Sequence, residues 1–251
     1  MRLLTWNIHK GIGGIDRRYD IARTIDVLRH YDADVVLLQE VDKGVPRSRQ
    51  HHQAEHLAEQ LGYEHVAFGP NVRLKQGVYG NAILARHAML DVQRIDLTFP
   101  LKKVRGALAV RIDVPVGAHR LTLHLVNIHL GLAGIERRWQ VNRLLDHPHL
   151  AHLDGRSRLV IAGDTNDWTG TLAGGRLKRA GFECATGRRT RALRTFPSWR
   201  PVGALDRVFV RGPLRCEHVV RPRLPLAVQA SDHLPVVLDL ALHPGSAPTD
   251  A

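Results

Sequence analysis

The chain has 251 residues, of which 44% are hydrophobic and 24% charged, ordinary values for a globular protein that buries its own core. Its net charge of +12 favours an anionic partner, although arginines spread along the chain equally fit a basic, solvated surface. Two cysteines without metal-binding spacing argue against a disulfide framework and a zinc site, and no apolar run is long enough to span a bilayer. The N-terminus lacks a signal-peptide pattern, so we expect a cytoplasmic location.

Strands and helices alternate along the first half of the chain. Hydrophobic periodicity predicts a strand at 3–8, a flexible Gly-rich loop at 11–14, a helix at 19–30, a buried strand at 34–41, a helix at 53–61, and strands at 81–85 and 107–112. This alternation favours a mixed α/β architecture.

The second half continues the pattern. It predicts strands at 120–130, 158–162, 205–210 and 234–240, a helix at 135–145, and a Pro-rich loop at 221–226. No linker divides the chain, so we expect one domain over residues 1–242 and a disordered tail over residues 243–251.

Several predicted strands end in carboxylate, amide or imidazole side chains. These are Asn7, Glu40, Asn127, His129, Asp164, Asn166, Asp232 and His233. Strands of a common sheet would bring such tips together at one edge, where sites of mixed α/β proteins gather. Each also has a simpler interpretation, since Glu40 can be a strand end meeting solvent and Asp164 part of an ordinary turn.

The chemistry of this set suits phosphate. Asp164 and Asn166 are two apart on an extended segment and point to the same side, where an acid can bind metal or orient water and an amide can donate to a phosphate oxygen. His233, beside Asp232, offers a general base or a cationic donor. Oxygen-rich ligands without thiolate favour Mg2+ first and Mn2+ second. Neither a Walker loop nor a nucleophile elbow is present.

Seven short motifs resemble the endonuclease/exonuclease/phosphatase superfamily and follow its order across residues 1–240. They are TWNIHKG at 5–11, LLQEVD at 37–42, GNAILAR at 80–86, NIHLGL at 127–132, IAGDTND at 161–167, ALDRVFV at 204–210 and SDHLP at 231–235. The resemblance implies an α/β fold, a four-layer α/β/β/α sandwich of two packed, mostly antiparallel sheets flanked by helices. It also implies metal-dependent hydrolysis of phosphodiester bonds by in-line attack of water.

The resemblance further implies a role for each matching residue. Glu40 would be the principal metal ligand with Asn7 beside it, and Asp232 a second ligand or part of the surrounding shell. Asp164 would orient the attacking water, Asn166 and His129 would hold phosphate oxygens, and His233, as base or as donor, would pair with Asp206. Arg105 is a further candidate for phosphate contact, with a surface arginine as the alternative.

The substrate stays open among three hypotheses. His9 stands where exonuclease III-type members carry an acid, which argues against abasic-site cleavage, and the chain is most similar to small bacterial members of unassigned substrate. The charge favours a nuclease acting on DNA or RNA. The alternative is a phosphodiesterase or phosphatase for phospholipid or small phosphoesters, for which the charge would serve an anionic membrane surface. A non-catalytic binding module is the third, and no obligate protein partner is evident.

Overall fold

The computed structural model describes residues 1–188, 191–222 and 224–243. The strands of this part of the chain are β1 (Arg2–Asn7), β2 (Val35–Lys43), β3 (His65–Arg73), β4 (Val78–Ala85), β5 (Met89–Asp96), β6 (Gly106–Val116), β7 (His119–His129), β8 (Arg158–Asp164), β9 (Glu183–Cys184), β10 (Asp206–Arg211), β11 (Leu214–Val220) and β12 (Val236–Leu242). The helices are α1 (Ile21–Tyr31), α2 (Gln53–Leu61), α3 (Gly134–Leu145), α4 (Pro148–Ala151), α5 (Arg176–Arg179) and α6 (Pro225–Ala230).

The strands form two mixed six-stranded sheets. The first has the order β11-β12-β1-β2-β4-β3 and the second β5-β6-β7-β8-β10-β9. Each contains one parallel pair, β1 with β2 and β7 with β8, while the other pairings are antiparallel. A parallel pair needs a crossover, which α1 supplies in the first sheet and α3 with α4 in the second. We call the edge where β1, β2, β7 and β8 end the polar edge.

Three apolar clusters separate four layers. The central cluster joins the inner faces of both sheets, with Leu37 from one and Leu125 from the other. A second packs the first sheet against α1, α2 and α6, and a third packs the other sheet against α3 and α5. Successive residues of β2 alternate between two of these clusters, which explains why the strand is apolar throughout. The predicted α/β/β/α sandwich is confirmed.

Four strands were not predicted from the sequence, namely β3, β5, β9 and β11. They lie at the outer edges of the sheets, where polar side chains face solvent and interrupt the apolar pattern. The loop predicted at 221–226 is wrong at its end, because α6 begins at Pro225, whose fixed φ suits a first helical position. Apart from His243, the predicted tail lies outside the described residues. Within those residues, no helix combines the length and apolarity required to cross a bilayer.

Candidate functional site

Glu40 leaves the core through an irregularity in β2. The pairing with β4 shifts register between Leu38 and Val41, and Glu40 adopts a left-handed φ of 57°. A bulge of this kind turns a side chain away from the face that strand alternation would give it. The side chain of Glu40 is 16% exposed and accepts a hydrogen bond from the ammonium of Lys10. Burial opposes its charge, but Lys10 and His129 outweigh this and lower the pKa of Glu40 to about 2.

Asp164 lies at the centre of the polar edge. Strand register sets it beside His129 of β7 and opposite Asp206 of β10. Its carboxylate accepts hydrogen bonds from Asn7 Nδ2 at 3.1 Å and from the backbone N–H of Asn166 at 2.9 Å. The two imidazole Nε2 atoms, of His129 and His233, lie 3.5 and 3.8 Å from its Oδ2. One buried carboxylate therefore connects both sheets.

His233 and Asp206 form a buried pair. The Nδ1 of His233 lies 2.8 Å from Oδ2 of Asp206, and the hydroxyl of Thr195 donates to the same oxygen. Burial disfavours the imidazolium, but the charges of Asp206 and Asp164 outweigh it and raise the pKa of His233 to about 10. The ring of Phe196 covers the imidazole with centroids 4.8 Å apart. His233 is therefore a cation at neutral pH.

His129 has the opposite electrostatic environment. Burial and the neighbouring positive charge of Arg105 lower its pKa to about 4, so the ring is neutral at pH 7. Arg105 is 7% exposed, and its Nε has no hydrogen-bond partner among the described residues. A buried guanidinium with an unused donor, next to a neutral imidazole, is suited to bind an anion.

The backbone beneath the site is fixed by buried hydrogen bonds. The hydroxyl of Ser231 donates to the carbonyl of Asn7 at 2.7 Å and accepts from the N–H of His233 at 3.1 Å. The indole of Trp6 donates to the carbonyl of His233 at 2.8 Å. These bonds join the end of β1 to the segment that carries His233.

The Gly-rich loop is closely packed against the site, which corrects the expectation of a flexible loop. A Cβ placed on Gly14 would lie 2.6 Å from the Cα of Asp232, so only glycine fits there. Asp232 Oδ2 in turn lies 3.9 Å from Nε2 of His9.

The donor set fits a hard divalent cation. Glu40, Asn7 and Asp232 offer oxygen atoms only, the ligands that Mg2+ and Mn2+ prefer. The ammonium of Lys10 on Glu40 shows that this carboxylate attracts a cation. A second group, Asp164, Asp206 and His233, has ligand atoms within 4.8 Å of one another, and all three residues are buried. Because Nδ1 of His233 already bonds Asp206, we interpret this group as a proton-handling pair beside Asp164.

Asp164 directly contacts four of the residues predicted for the site, namely Asn7, His129, Asn166 and His233. Glu40, Arg105 and Asp232 interact with the histidines of this group through their charges. Asn166 donates through Nδ2 to the carbonyl of Leu130, and Asn127, the other polar strand tip, instead bonds backbone carbonyls of the opposite sheet. Four residues of the site were not predicted from the sequence, namely Lys10, Thr195, Trp6 and Ser231. Lys10 reaches Glu40 from a positive φ of 64°, for which the sequence carries no signal. Thr195 precedes Asp206 by 11 residues, a separation that gives no periodic signal of their contact.

Comparisons with known proteins show what the chain as a whole is similar to. Residues 4–233 match the model of the Endonuclease/Exonuclease/phosphatase family. The chain is 30% identical over 250 residues to the uncharacterized protein YbhP of Escherichia coli K12, covering 96% of both chains.

Among solved structures, an endonuclease/exonuclease/phosphatase from Beutenbergia cavernae has a TM-score of 0.78 and 26% identity, with 98% of this chain and 72% of that chain covered. Danio rerio TDP2, in complex with a single-strand DNA product, has a TM-score of 0.69 and 20% identity, with coverage of 96% and 98%. The human nocturnin catalytic domain, with a bound sulfate, has a TM-score of 0.71 and 18% identity, with coverage of 97% and 93%. At these identities the last two show the fold alone.

Proposed function

The chain belongs to the Endonuclease/Exonuclease/phosphatase family, whose members are phosphoesterases and nucleases that generally depend on divalent metals, and we propose that it is a metal-dependent phosphodiesterase. The observation that supports this most is the shared position of Asp164. Its carboxylate lies within 4 Å of both a neutral and a cationic imidazole, at the end of the segment that also carries Asn166.

Each residue of the site has a separate role in the in-line hydrolysis of a phosphodiester bond. Asp164 accepts a proton from the attacking water, which its hydrogen-bonded carboxylate holds in line with phosphorus. The imidazolium of His233 donates to a phosphoryl oxygen, so that it acts as the transition-state donor. Asp206 fixes the tautomer and orientation of His233. His129, Asn166 and Arg105 hold the remaining phosphate oxygens.

Glu40, Asn7 and Asp232 would hold the divalent cation, Mg2+ in preference to Mn2+. The bound ion supplies charge stabilisation to the phosphoryl group as its bonds change. Glu40 suits this role because it is ionised throughout the physiological range and its negative charge is partly buried.

Two substrate classes are supported by different observations. The +12 charge favours cleavage of nucleic acid. Exposed apolar side chains around the site favour a phosphodiester carried by lipid.

The proposal is tested by hydrolysis of bis(p-nitrophenyl) phosphate with Mg2+ or Mn2+. We expect Glu40→Gln and His233→Ala each to lower kcat/KM by roughly 10²- to 10⁴-fold, since one removes a metal ligand and the other the cationic donor. Glu55→Gln is the matched control, because Glu55 is an exposed acid on α2 that pairs with Lys43. Unchanged rates in both site variants would contradict the assignment.

A further inference from the structure

Large apolar side chains are exposed around the polar edge. Six of them, which we call the apolar rim, are Leu101, Leu132, Ile135, Trp168, Trp199 and Val202, and their exposure ranges from 51% to 104%. Elsewhere in the described residues only Ile15 and Val220 are more than half exposed among large apolar residues, and both flank the same edge. Single exposed apolar residues are ordinary, but their concentration at one edge marks an interaction surface.

Strand topology places the rim around the site. Leu101 belongs to the segment that enters β6, whose first residues pair with the last residues of β7. Leu132 follows β7, Trp168 follows β8, and Trp199 precedes β10. The rim is also continuous with the site, since the ring of Trp168 meets that of Phe196 edge-on at 5.8 Å and Phe196 contacts His233.

The segments that carry the rim lack acidic residues, and two of them are basic. Residues 97–105, 130–135, 168–175 and 186–205 contain no Asp or Glu, although the chain has 24 acidic residues. The first of these segments has three Lys or Arg and the last has five Arg. Lys102 and Lys103 are exposed directly beside Leu101, and Arg200 beside Trp199. The rim thus presents apolar and positively charged groups together.

This combination distinguishes between two polyanionic surfaces. A nucleic acid would satisfy the cations and stack on the tryptophans, but it has no counterpart for exposed aliphatic side chains such as Leu101, Leu132 and Ile135. A bilayer with anionic headgroups matches all three kinds of exposed side chain. Aliphatic side chains enter the acyl region, Trp lies at the interface, and Lys or Arg pairs with headgroups.

We propose that the apolar rim docks the polar edge onto an anionic phospholipid bilayer. The catalytic centre then faces the headgroup layer, and its substrate is a lipid phosphodiester, a consequence that rests on the proposed function. Docking itself needs no catalysis and is a property of the rim alone.

The test is flotation of the full-length protein with vesicles of phosphatidylcholine alone or mixed with phosphatidylglycerol. We expect binding to the anionic vesicles, weakened roughly tenfold by Leu132→Ser with Ile135→Ser. Lys102→Glu with Lys103→Glu should weaken binding by a similar roughly tenfold factor at low salt and by less at high salt. None of these four residues belongs to the proposed catalytic machinery.

Matched controls change the same chemistry away from the rim. Leu90→Ser with Val92→Ser removes exposed apolar groups from β5, and Arg120→Glu with Arg215→Glu reverses two exposed charges at the opposite end of the sheets. We expect both controls to bind within about twofold of the unmodified protein. Absence of binding to anionic vesicles, or equal losses in rim and control variants, would overturn the proposal.

Single-stranded DNA binding and bis(p-nitrophenyl) phosphate hydrolysis complete the design. Rim variants that lose DNA affinity but keep vesicle binding would identify nucleic acid as the occupant and overturn membrane docking. Glu40→Gln should float normally while losing hydrolysis. If the unmodified protein floats with anionic vesicles but hydrolyses no diester, docking is supported and the proposed function fails.

Discussion

At the scale of single residues, the two carboxylate oxygens of Asp206 differ in their hydrogen bonding. Oδ2 accepts from Thr195 and bonds His233, while the buried Oδ1 has no hydrogen-bond partner in the described part of the chain. A carboxylate held in this way has little freedom to turn, so the imidazole it orients is fixed as well. Thr195 is therefore a positioning residue that acts on His233 through Asp206.

Thr195→Val tests this role, because valine keeps the shape and removes the hydroxyl. We expect kcat to fall by about tenfold with KM nearly unchanged, since roughly 1.4 kcal/mol of orientation is lost in the transition state. Steady-state kinetics on bis(p-nitrophenyl) phosphate measure the split. Thr165→Val is the control, as that buried hydroxyl donates to the carbonyl of Leu205 and touches no catalytic carboxylate. Equal losses in the two variants would indicate a merely structural role.

At the scale of elements, the sequence predicted the strands that cross the core and the polar residues at their ends. It could do so because β2 and β8 are buried on both faces and become polar only where they reach the edge. The bulge at Glu40 was not predictable in this way. Its register shift belongs to the pairing with β4, which leaves no periodic signal in the sequence.

The side chain of Asn127 bonds residues of the opposite sheet beside this bulge. Its Nδ2 donates to the carbonyls of Leu38 and Ala82 at 2.8 and 2.9 Å, and its Oδ1 accepts from Gln39 at 2.8 Å. The two carbonyls belong to neighbouring strands of the first sheet, whereas Asn127 belongs to the second. The buried amide of Asn127 thus links the two sheets through hydrogen bonds beside the bulge.

Asn127→Leu should therefore destabilise the protein by about 3 kcal/mol, because the carbonyls of Leu38 and Ala82 and the amide of Gln39 each lose a buried hydrogen bond. Urea unfolding gives the free energy. Thr122→Val, a change at a half-buried position of the same strand where the hydroxyl donates to Asp113, should cost less than about 1 kcal/mol. A loss for Asn127→Leu as small as that of the control would show that the sheets do not depend on this amide.

At the scale of the whole molecule, positive charge is the dominant electrostatic feature, and histidines add to it on acidification. The chain has 16 His beside its net charge of +12. One group lies on the outer face of the second sheet, where His124 faces His149 with ring centroids 6.5 Å apart and His149 faces His152 at 6.4 Å. Protonating this group places like charges together, next to Arg111 of β6.

The lowered pKa of His124 determines the direction in which stability changes with pH. Burial, with help from His149 and Arg111, lowers its pKa from 6.5 to about 4, so the unfolded chain binds the proton more readily than the folded one. The contribution of neutral His124 to the free energy of unfolding is fully present above pH 6.5 and is lost as the pH falls towards 4. After allowance for partial exposure, we expect about 1 kcal/mol less stability at pH 5 than at pH 7.5 from this residue.

Urea unfolding of His124→Gln at both pH values should show a decline in the free energy of unfolding that is smaller by that amount. His119→Gln, an exposed change on the same strand, should decline like the unmodified protein. An identical decline in all three proteins would mean that the acid sensitivity originates in the other histidines or in the overall positive charge.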